Sequence, residues 1–318
     1  MRCGRSCKAL ADTKTIRAIE PNAGTKAKLE KKLASYFEAV TKEASRAVFE
    51  ALINEGVLVE APQEVAQDAD AFALTLNAHD LYMGRPFKLI KGIAPARVEQ
   101  IVSDVFRKIY AHFLINRGDD AKEVSSWFVR SAARSVTSSQ RKALTDAGIS
   151  TQEIRKKWTV PVIKGQYLSR EAAEALPTIV DEMTGLITRM ASEDLERVRT
   201  VITQGVTGGM NLSEIEKTLK ASKGFTAARA KRVALDQSIK VNQAIQRAND
   251  KSLGLTEGIW VHVPGRYSSR HTHVAMDGKK FSLNEGLYDS EVGQKVLPGE
   301  LPYCRCIYRA VLPPELLE

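Results

Sequence analysis

The feature that most constrains the fold is hydrophobic periodicity, which is helical over most of the chain and changes near residue 256. Between residues 28 and 54 the apolar side chains recur at i, i+3, i+4 and i+7, the pattern of an amphipathic helix. The same pattern predicts helices at 62–77, 95–116, 124–147, from 169 through 202, at 211–222 and at 226–249. From 256 to 312 the period is instead two, with Ile259 and Val261 opposite Trp260 and His262. The sequence therefore predicts a mainly α protein with an elongated helical body and a small C-terminal α+β module.

Turn-forming residues and changes of composition divide the chain into four segments. Residues 1–27 are basic and polar, contain Gly4, Pro21 and Gly24, and are predicted to form a flexible arm. An N-terminal helical domain follows over 28–158. A short extended piece then opens a region of long helices, 159–255, with a predicted break at Lys223–Gly224. Residues 256–318, rich in Pro-Gly and Asp-Gly turns, are predicted to form a β-rich module.

The net charge of +9 is unevenly distributed along the 318 residues. Residues 1–48 hold eleven Lys and Arg against five Asp and Glu, and residues 217–251 hold nine against two. Such basic blocks suit contact with a polyanion such as DNA, or they keep helical faces soluble. The candidate DNA contacts in the second block are Lys217, Lys220, Lys223, Arg229 and Lys231.

Several classes of protein are excluded or disfavoured by absent signals. The sequence has no run of about 18 apolar residues, which a membrane span needs. The basic N-terminus lacks the apolar stretch of a signal peptide, so we expect a protein kept in the cytoplasm with free thiols. A Gly-x-x-x-x-Gly-Lys phosphate loop is also missing, which argues against an NTP-driven motor.

Two closely spaced pairs in the C-terminal module are candidate metal ligands. His271 and His273 lie two residues apart, as do Cys304 and Cys306. If both pairs lie on strands, each presents two side chains to one face, and two His with two Cys make a tetrahedral zinc set. The alternative is that the cysteines are small buried residues and the histidines are hydrogen-bonded surface residues. The sequence thus predicts no cofactor, with a structural zinc ion as the open alternative.

A series of short motifs in this last third resembles a known family. In chain order they are Asp236-Gln237, Trp260, Arg270 followed by His273, Asp277-Gly278, a Pro298-Gly299 loop and Cys304-Arg305-Cys306. In this order and spacing they resemble the tailed-phage minor head proteins typified by the F protein of phage Mu, also called head morphogenesis proteins. The sequence departs from that pattern at Leu235 and His271, where the family usually has Arg and Pro.

The resemblance implies a structural minor head (capsid) protein of a tailed phage or prophage and not an enzyme. Such a protein acts in head assembly near the portal vertex, with the portal protein, the major capsid protein and packaged DNA as partners. It is assembled in the host cytoplasm, resides in the virion head and has no membrane partner. Two alternatives stay open: a non-specific DNA-binding protein ejected with the genome, and a nuclease or toxin-like effector acting through His273 and Cys304.

The position of Gln237 on a thin apolar stripe predicts how the last long helix packs. A buried amide needs a hydrogen-bond partner, and the module that follows is the nearest source of one. We therefore expect this helix to pack on the module, with Asp236 and Gln237 near Arg270 or the Cys304–Cys306 strand.

Overall fold

The structure is a computed structural model that describes residues 14–60, 87–89, 94–112, 118–163, 165–208, 210, 212–264 and 269–316. The chain divides into two compact units, each built from separated stretches. The first unit contains residues 1–30, 124–183 and 232–318, and the second contains residues 31–123 and 184–231. The four-segment division of the sequence stays a prediction.

Helices account for most of the described residues, and the strands are short. The helices are α1 (Ala23–Asn54), α2 (Pro95–His112), α3 (Gly118–Asp146), α4 (Thr151–Lys157), α5 (Arg170–Thr207), α6 (Leu212–Ser252) and α7 (His271–Met276). The strands are β1 (Leu58–Glu60), β2 (Phe87–Leu89), β3 (Trp158–Ile163), β4 (Gln166–Ser169), β5 (Glu257–Val261), β6 (Lys280–Ser282), β7 (Leu287–Asp289), β8 (Gln294–Val296) and β9 (Ile307–Ala310). The predicted fold class, mainly α with a small C-terminal α+β part, is confirmed.

The first unit contains the C-terminal module. Strands β6, β5 and β9 form an antiparallel sheet in that order, with Trp260 of β5 opposite Tyr308 of β9. Two antiparallel pairs, β3–β4 and β7–β8, complete its strands. The sheet shares one hydrophobic core with α3 and α4, because Leu144, Ile154 and Trp260 belong to the same buried cluster.

Residues 14–20 pack on this core, although the sequence assigned 1–27 to a flexible arm. The backbone N–H of Ile16 donates to the carbonyl of Ala310 at 3.0 Å, and Thr15 forms a bridge with Val311. Ile16 and Ile19 are buried. Their apolar side chains and the free edge of β9 explain why this stretch is part of the unit.

Among its described residues, the regular structure of the second unit is helical apart from the β1–β2 pair. Its core is formed by apolar side chains at helical spacing: Phe37, Val40, Leu52, Ile101, Phe106, Leu195 and Ile202. The Tyr110 hydroxyl of α2 donates to Glu196 of α5 at 2.5 Å. Arg199 of α5 donates to Ser103 of α2 at 3.2 Å, so polar contacts join the same two helices.

The C-terminal part of α6 buries an unusual number of polar side chains. Asn242 donates to the carbonyl of Ile19 at 2.7 Å. Asn249 accepts from the backbone N–H of Ser169 at 3.0 Å, and Asp250 accepts from Gln140 at 2.6 Å. These bonds attach α6 to three other parts of the first unit, since buried amides and carboxylates require partners.

Helix boundaries differ from the sequence prediction, most of all in the middle of α6. The predicted break at Lys223–Gly224 is wrong, because α6 continues through it from Leu212 to Ser252. One glycine inside a helix costs about 1 kcal/mol, which a 41-residue helix readily offsets. Pro177 lies inside α5, which is continuous from Arg170 to Thr207.

Two further sequence predictions concern a helix at 62–77 and the absence of a membrane span. The helix predicted at 62–77 lies outside the described residues. Among the residues that the structure describes, no helix is long and apolar enough to span a membrane.

Candidate functional site

The candidate site lies where four parts of the C-terminal module meet. Helix α7 carries His273, and the extended segment before β9 carries Cys304 and Cys306. Strand β7 ends at Asp289, and His262 directly follows β5. We call His262, His273, Asp289, Cys304 and Cys306 the His–Cys cluster.

Short distances join the sulfur and nitrogen atoms of this cluster. Cys304 Sγ lies 3.3 Å and Cys306 Sγ 3.7 Å from His273 Nδ1. The donor atoms of these three residues all lie within 4.8 Å of one another. Cys306 Sγ is also 3.6 Å from His262 Nδ1. Both cysteines are free thiols.

The second nitrogen of the central histidine is held by a buried carboxylate. His273 Nε2 lies 3.1 Å from Asp289 Oδ2. The other oxygen of Asp289 accepts the backbone N–H of Glu291 at 2.9 Å. Asp289 therefore fixes the orientation of the imidazole and directs Nδ1 toward the two sulfurs, as acidic partners of functional histidines commonly do.

The contacts within the cluster shift the pKa values of its members. A hydrogen bond with Cys306 lowers the pKa of Cys304 to about 4, although burial acts in the opposite direction, and His273 strengthens the lowering. The same sulfur–sulfur contact raises the pKa of Cys306. Burial disfavours the charged form of His273, but Cys304 and Asp289 outweigh it and raise its pKa. The arrangement stabilises one thiolate next to an imidazolium.

The cluster is shielded from solvent. His273 and Cys306 are 2% exposed, Cys304 is 4% exposed and Asp289 is fully buried. The Trp260 ring stands edge-on to the His273 ring at 5.3 Å between centroids. Chemically, the cluster can bind a soft metal ion or form a hydrogen-bonded Cys–His–Asp array.

The structure brings together three of the four ligands predicted from the sequence. His273, Cys304 and Cys306 converge, whereas His271 is exposed. The strand expected for the histidine pair is wrong. These residues form the first turn of α7, where side chains two apart point about 200° apart around the axis.

Sequence reasoning missed two members of the cluster. His262 was placed on a strand face without a role, and Asp289 was not singled out. An available signal was the turn sequence Asp289-Ser290-Glu291, in which an Asp oxygen accepts the N–H two residues on. The 16-residue separation from His273 left no local indication of the contact.

Other motif residues support the cluster structurally. The Asp277 carboxylate accepts the backbone N–H of His262 at 2.8 Å. Gly278 has a positive φ of 73°, and its N–H donates to the Trp260 carbonyl at 2.9 Å. Arg270 donates to the carbonyl of Pro302 at 3.2 Å, and Arg305 between the cysteines is half-buried. The Asp-Gly turn thus attaches α7 to the strand of Trp260.

The predicted packing of the last long helix on the module is confirmed. Asp236 of α6 accepts the backbone N–H of Tyr303 at 2.5 Å, next to Cys304. Gln237 donates to the other oxygen of Asp236 at 3.0 Å. Arg247 donates to the carbonyl of Pro298 at 3.2 Å, so the helix contacts the Pro-Gly loop as well.

The candidate DNA contacts lie along α6 and have different environments. Lys217 and Lys231 are exposed. Arg229 forms ion pairs with Glu193 and, at 3.7 Å, with Asp194. The side chains of Lys220 and Lys223 lie outside the described set. The charge of Arg229 is therefore already offset within the second unit.

Comparison with known proteins gives one match. A family model described as phage Mu protein F like protein matches residues 196–309, which begin in α5, include α6 and end in β9. No curated protein and no solved structure matches the chain. The matched stretch contains every motif on which the resemblance was based. Residues 196–309 are therefore similar to the phage Mu F-like head morphogenesis family, as the resemblance predicted.

Proposed function

We propose that this protein is a structural minor head protein that acts near the portal vertex during assembly of a tailed-phage head. The observation that carries the proposal is the family match over residues 196–309. Its partners in this proposal are the portal protein and the major capsid protein. Assembly takes place in the host cytoplasm, and the finished protein resides in the virion head.

The character of the His–Cys cluster supports a structural role. The imidazole of His273 and both sulfurs are buried under Trp260, and the neighbouring carboxylates of Asp289 and Asp277 hold backbone N–H groups. A site built for turnover usually lies in an accessible concave pocket. Here the chemistry-bearing groups lie inside the fold and join its parts together.

The direct test is the protein composition of purified particles. Mass spectrometry of proheads and of DNA-filled virions should find this chain in both, and chemical cross-linking of proheads should give peptides joined to the portal protein. A phage from which the gene is deleted should form defective heads while the portal and capsid proteins are still made. A chain absent from proheads and virions, with normal heads in the deletion strain, would overturn the proposal.

We also propose that exposed lysines of α6 contact packaged DNA. Lys217 and Lys231 are exposed on this basic helix. Phosphate contacts of this kind are independent of sequence and weaken steeply with salt. Arg229 should contribute less, because its guanidinium is already paired with Glu193 and Asp194.

A matched pair of double variants tests the DNA contact. Replacing Lys217 and Lys231 by Gln should make binding to duplex DNA less dependent on salt. The slope of log K against log salt concentration should become shallower by about 0.9 for each phosphate that is no longer neutralised. The control replaces Lys280 and Lys295, which pair with Glu257 and Glu285, and changes net charge equally. Equal effects of the two double variants would show that only overall charge matters. No binding at about 50 mM salt, where phosphate contacts are strong, would refute the contact.

A further inference from the structure

We propose that the His–Cys cluster is a structural zinc site whose ligands are Cys304, Cys306, His273 and His262. Two thiolates and two imidazoles are a common tetrahedral zinc set. The donor chemistry also favours zinc over hard cations such as Mg²⁺ and Ca²⁺, which require oxygen ligands.

Three sulfur–nitrogen distances fit the edges of a zinc tetrahedron, whereas His262 lies outside the set of donors that are all within 4.8 Å of one another. Zinc–sulfur bonds of about 2.3 Å and zinc–nitrogen bonds of about 2.0–2.1 Å at tetrahedral angles place S and N about 3.5 Å apart. Here His273 Nδ1 lies 3.3 Å from Cys304 Sγ and 3.7 Å from Cys306 Sγ. His262 Nδ1 lies 3.6 Å from Cys306 Sγ. Three independent sulfur–nitrogen distances thus scatter closely around the expected edge.

The contact behind His273 is the one that zinc-binding histidines usually have. His273 Nε2 faces the buried carboxylate of Asp289 at 3.1 Å, which leaves Nδ1 as the atom that points at the sulfurs. A carboxylate behind a ligating imidazole fixes its tautomer and ring orientation. Asp289 is itself held by the backbone N–H of Glu291. Asp289 is therefore assigned as a positioning residue and not as a ligand.

The fourth ligand is assigned to His262 and not to His271. His262 is half-buried, already touches Cys306, and its backbone is fixed by the bond to Asp277. His271 is exposed on α7. A closed set of four protein ligands is characteristic of structural zinc sites, whereas catalytic sites keep one open position.

The location of the cluster explains what the ion would do for the fold. It would join the segment before β9 to α7 and to the end of β5, three parts of a module whose strands have only three to five residues. Small modules with limited cores commonly depend on such a metal for stability. Binding energy at a structural zinc site is folding energy.

The first test measures metal content and coordination in the full-length protein. The chain purified after growth with added zinc should contain about one zinc ion per molecule. Replacement by Co²⁺ should give thiolate-to-cobalt charge-transfer absorption and the d–d bands of a tetrahedral site. A purified or zinc-refolded protein without stoichiometric metal would overturn the proposal.

A set of variants assigns each ligand. Cys304→Ser and Cys306→Ser should abolish tight zinc binding and the charge-transfer band. Asp289→Asn should keep the cobalt spectrum but weaken zinc affinity about 10- to 100-fold, the usual effect of losing a partner behind a ligand. His262→Ala should lower affinity, and the matched control His271→Ala should leave it unchanged. The reverse result for the two histidines would overturn the fourth-ligand assignment, and this comparison does not depend on the cysteine variants folding.

Discussion

Replacing Asp250 by Asn should change how the stability of the first unit depends on pH. Asp250 is fully buried, accepts the Tyr308 hydroxyl at 2.7 Å and accepts Gln140 at 2.6 Å. Burial raises its pKa from 3.8 to about 7, against the lowering effect of these hydrogen bonds. The buried Tyr308 lies beside Asp250, and the half-buried Arg247 lies near Tyr308.

The sign and size follow from linkage. A raised pKa means that the folded state binds the proton more tightly, so this stabilisation is complete below pH 3.8 and is lost as pH rises to about 7. Each tenfold change in proton affinity corresponds to about 1.4 kcal/mol, which gives a loss of about 4 kcal/mol in the wild type. Asn resembles the protonated Asp and does not titrate. The free energy of unfolding of Asp250→Asn minus that of the wild type should therefore rise by about 4 kcal/mol between pH 4 and pH 7 and then level off.

Urea unfolding followed by tryptophan fluorescence measures this difference. All three tryptophans, Trp127, Trp158 and Trp260, lie in the first unit, so the signal reports the unit that contains Asp250. Asp146→Asn removes an exposed carboxylate of the same unit and serves as the control with a much smaller change. A difference that stays flat or falls between pH 4 and pH 7 would refute the reasoning, because it would mean that the folded protein favours the ionised carboxylate.

Two further predictions concern the hairpin and the start of the cysteine segment. Gly286→Ala should destabilise by about 2–3 kcal/mol or more, because a Cβ there would lie 2.0 Å from the Val296 carbonyl oxygen in a left-handed backbone. Gly293→Ala in the same hairpin has open space and only the positive φ, so thermal denaturation should show a loss of about 1 kcal/mol, and equal losses would contradict the steric argument. Asp236→Ala removes the acceptor of the Tyr303 N–H and should cost about 1–3 kcal/mol, with faster hydrogen exchange at the Tyr303 amide. Unchanged exchange at that amide would show that the bond contributes nothing.

The helices and the change to a β-containing module were predictable because both leave local patterns. The apolar stripe of 28–54 gave α1, and the alternation around Trp260 gave β5. The break at Gly224 was wrongly predicted because helix length outweighs one unfavourable residue. Motif order within the last third also predicted the similarity to the Mu F-like family, because motif order needs no knowledge of contacts.

The buried polar side of α6 was not predictable from the sequence. Asn242, Asn249 and Asp250 have the residue types of a solvated helix face, yet each is buried. Asn242 bonds to Ile19, 223 residues away in the chain. Asn249 bonds to Ser169, 80 residues away, and Asp250 bonds to Gln140, 110 residues away. Periodicity cannot distinguish water from a distant protein partner as the source of a hydrogen bond. For the same reason the sequence alone could not show that His262, and not His271, lies in the His–Cys cluster.

The position of the Cys304–Cys306 segment depends on helix α6 as much as on the sheet. Asp236 accepts the backbone N–H of Tyr303 just before this segment, and Asp250 accepts the hydroxyl of Tyr308 just after it. The two carboxylates are 14 residues apart on one helix, about 21 Å at 1.5 Å per residue, and the extended chain from 303 to 308 covers about 17 Å. The stretch that carries both cysteines is therefore held against α6 at both of its ends. The family match extends from α5 through α6 to β9, which fits this dependence, because the module alone would lack the two carboxylates that position its cysteines.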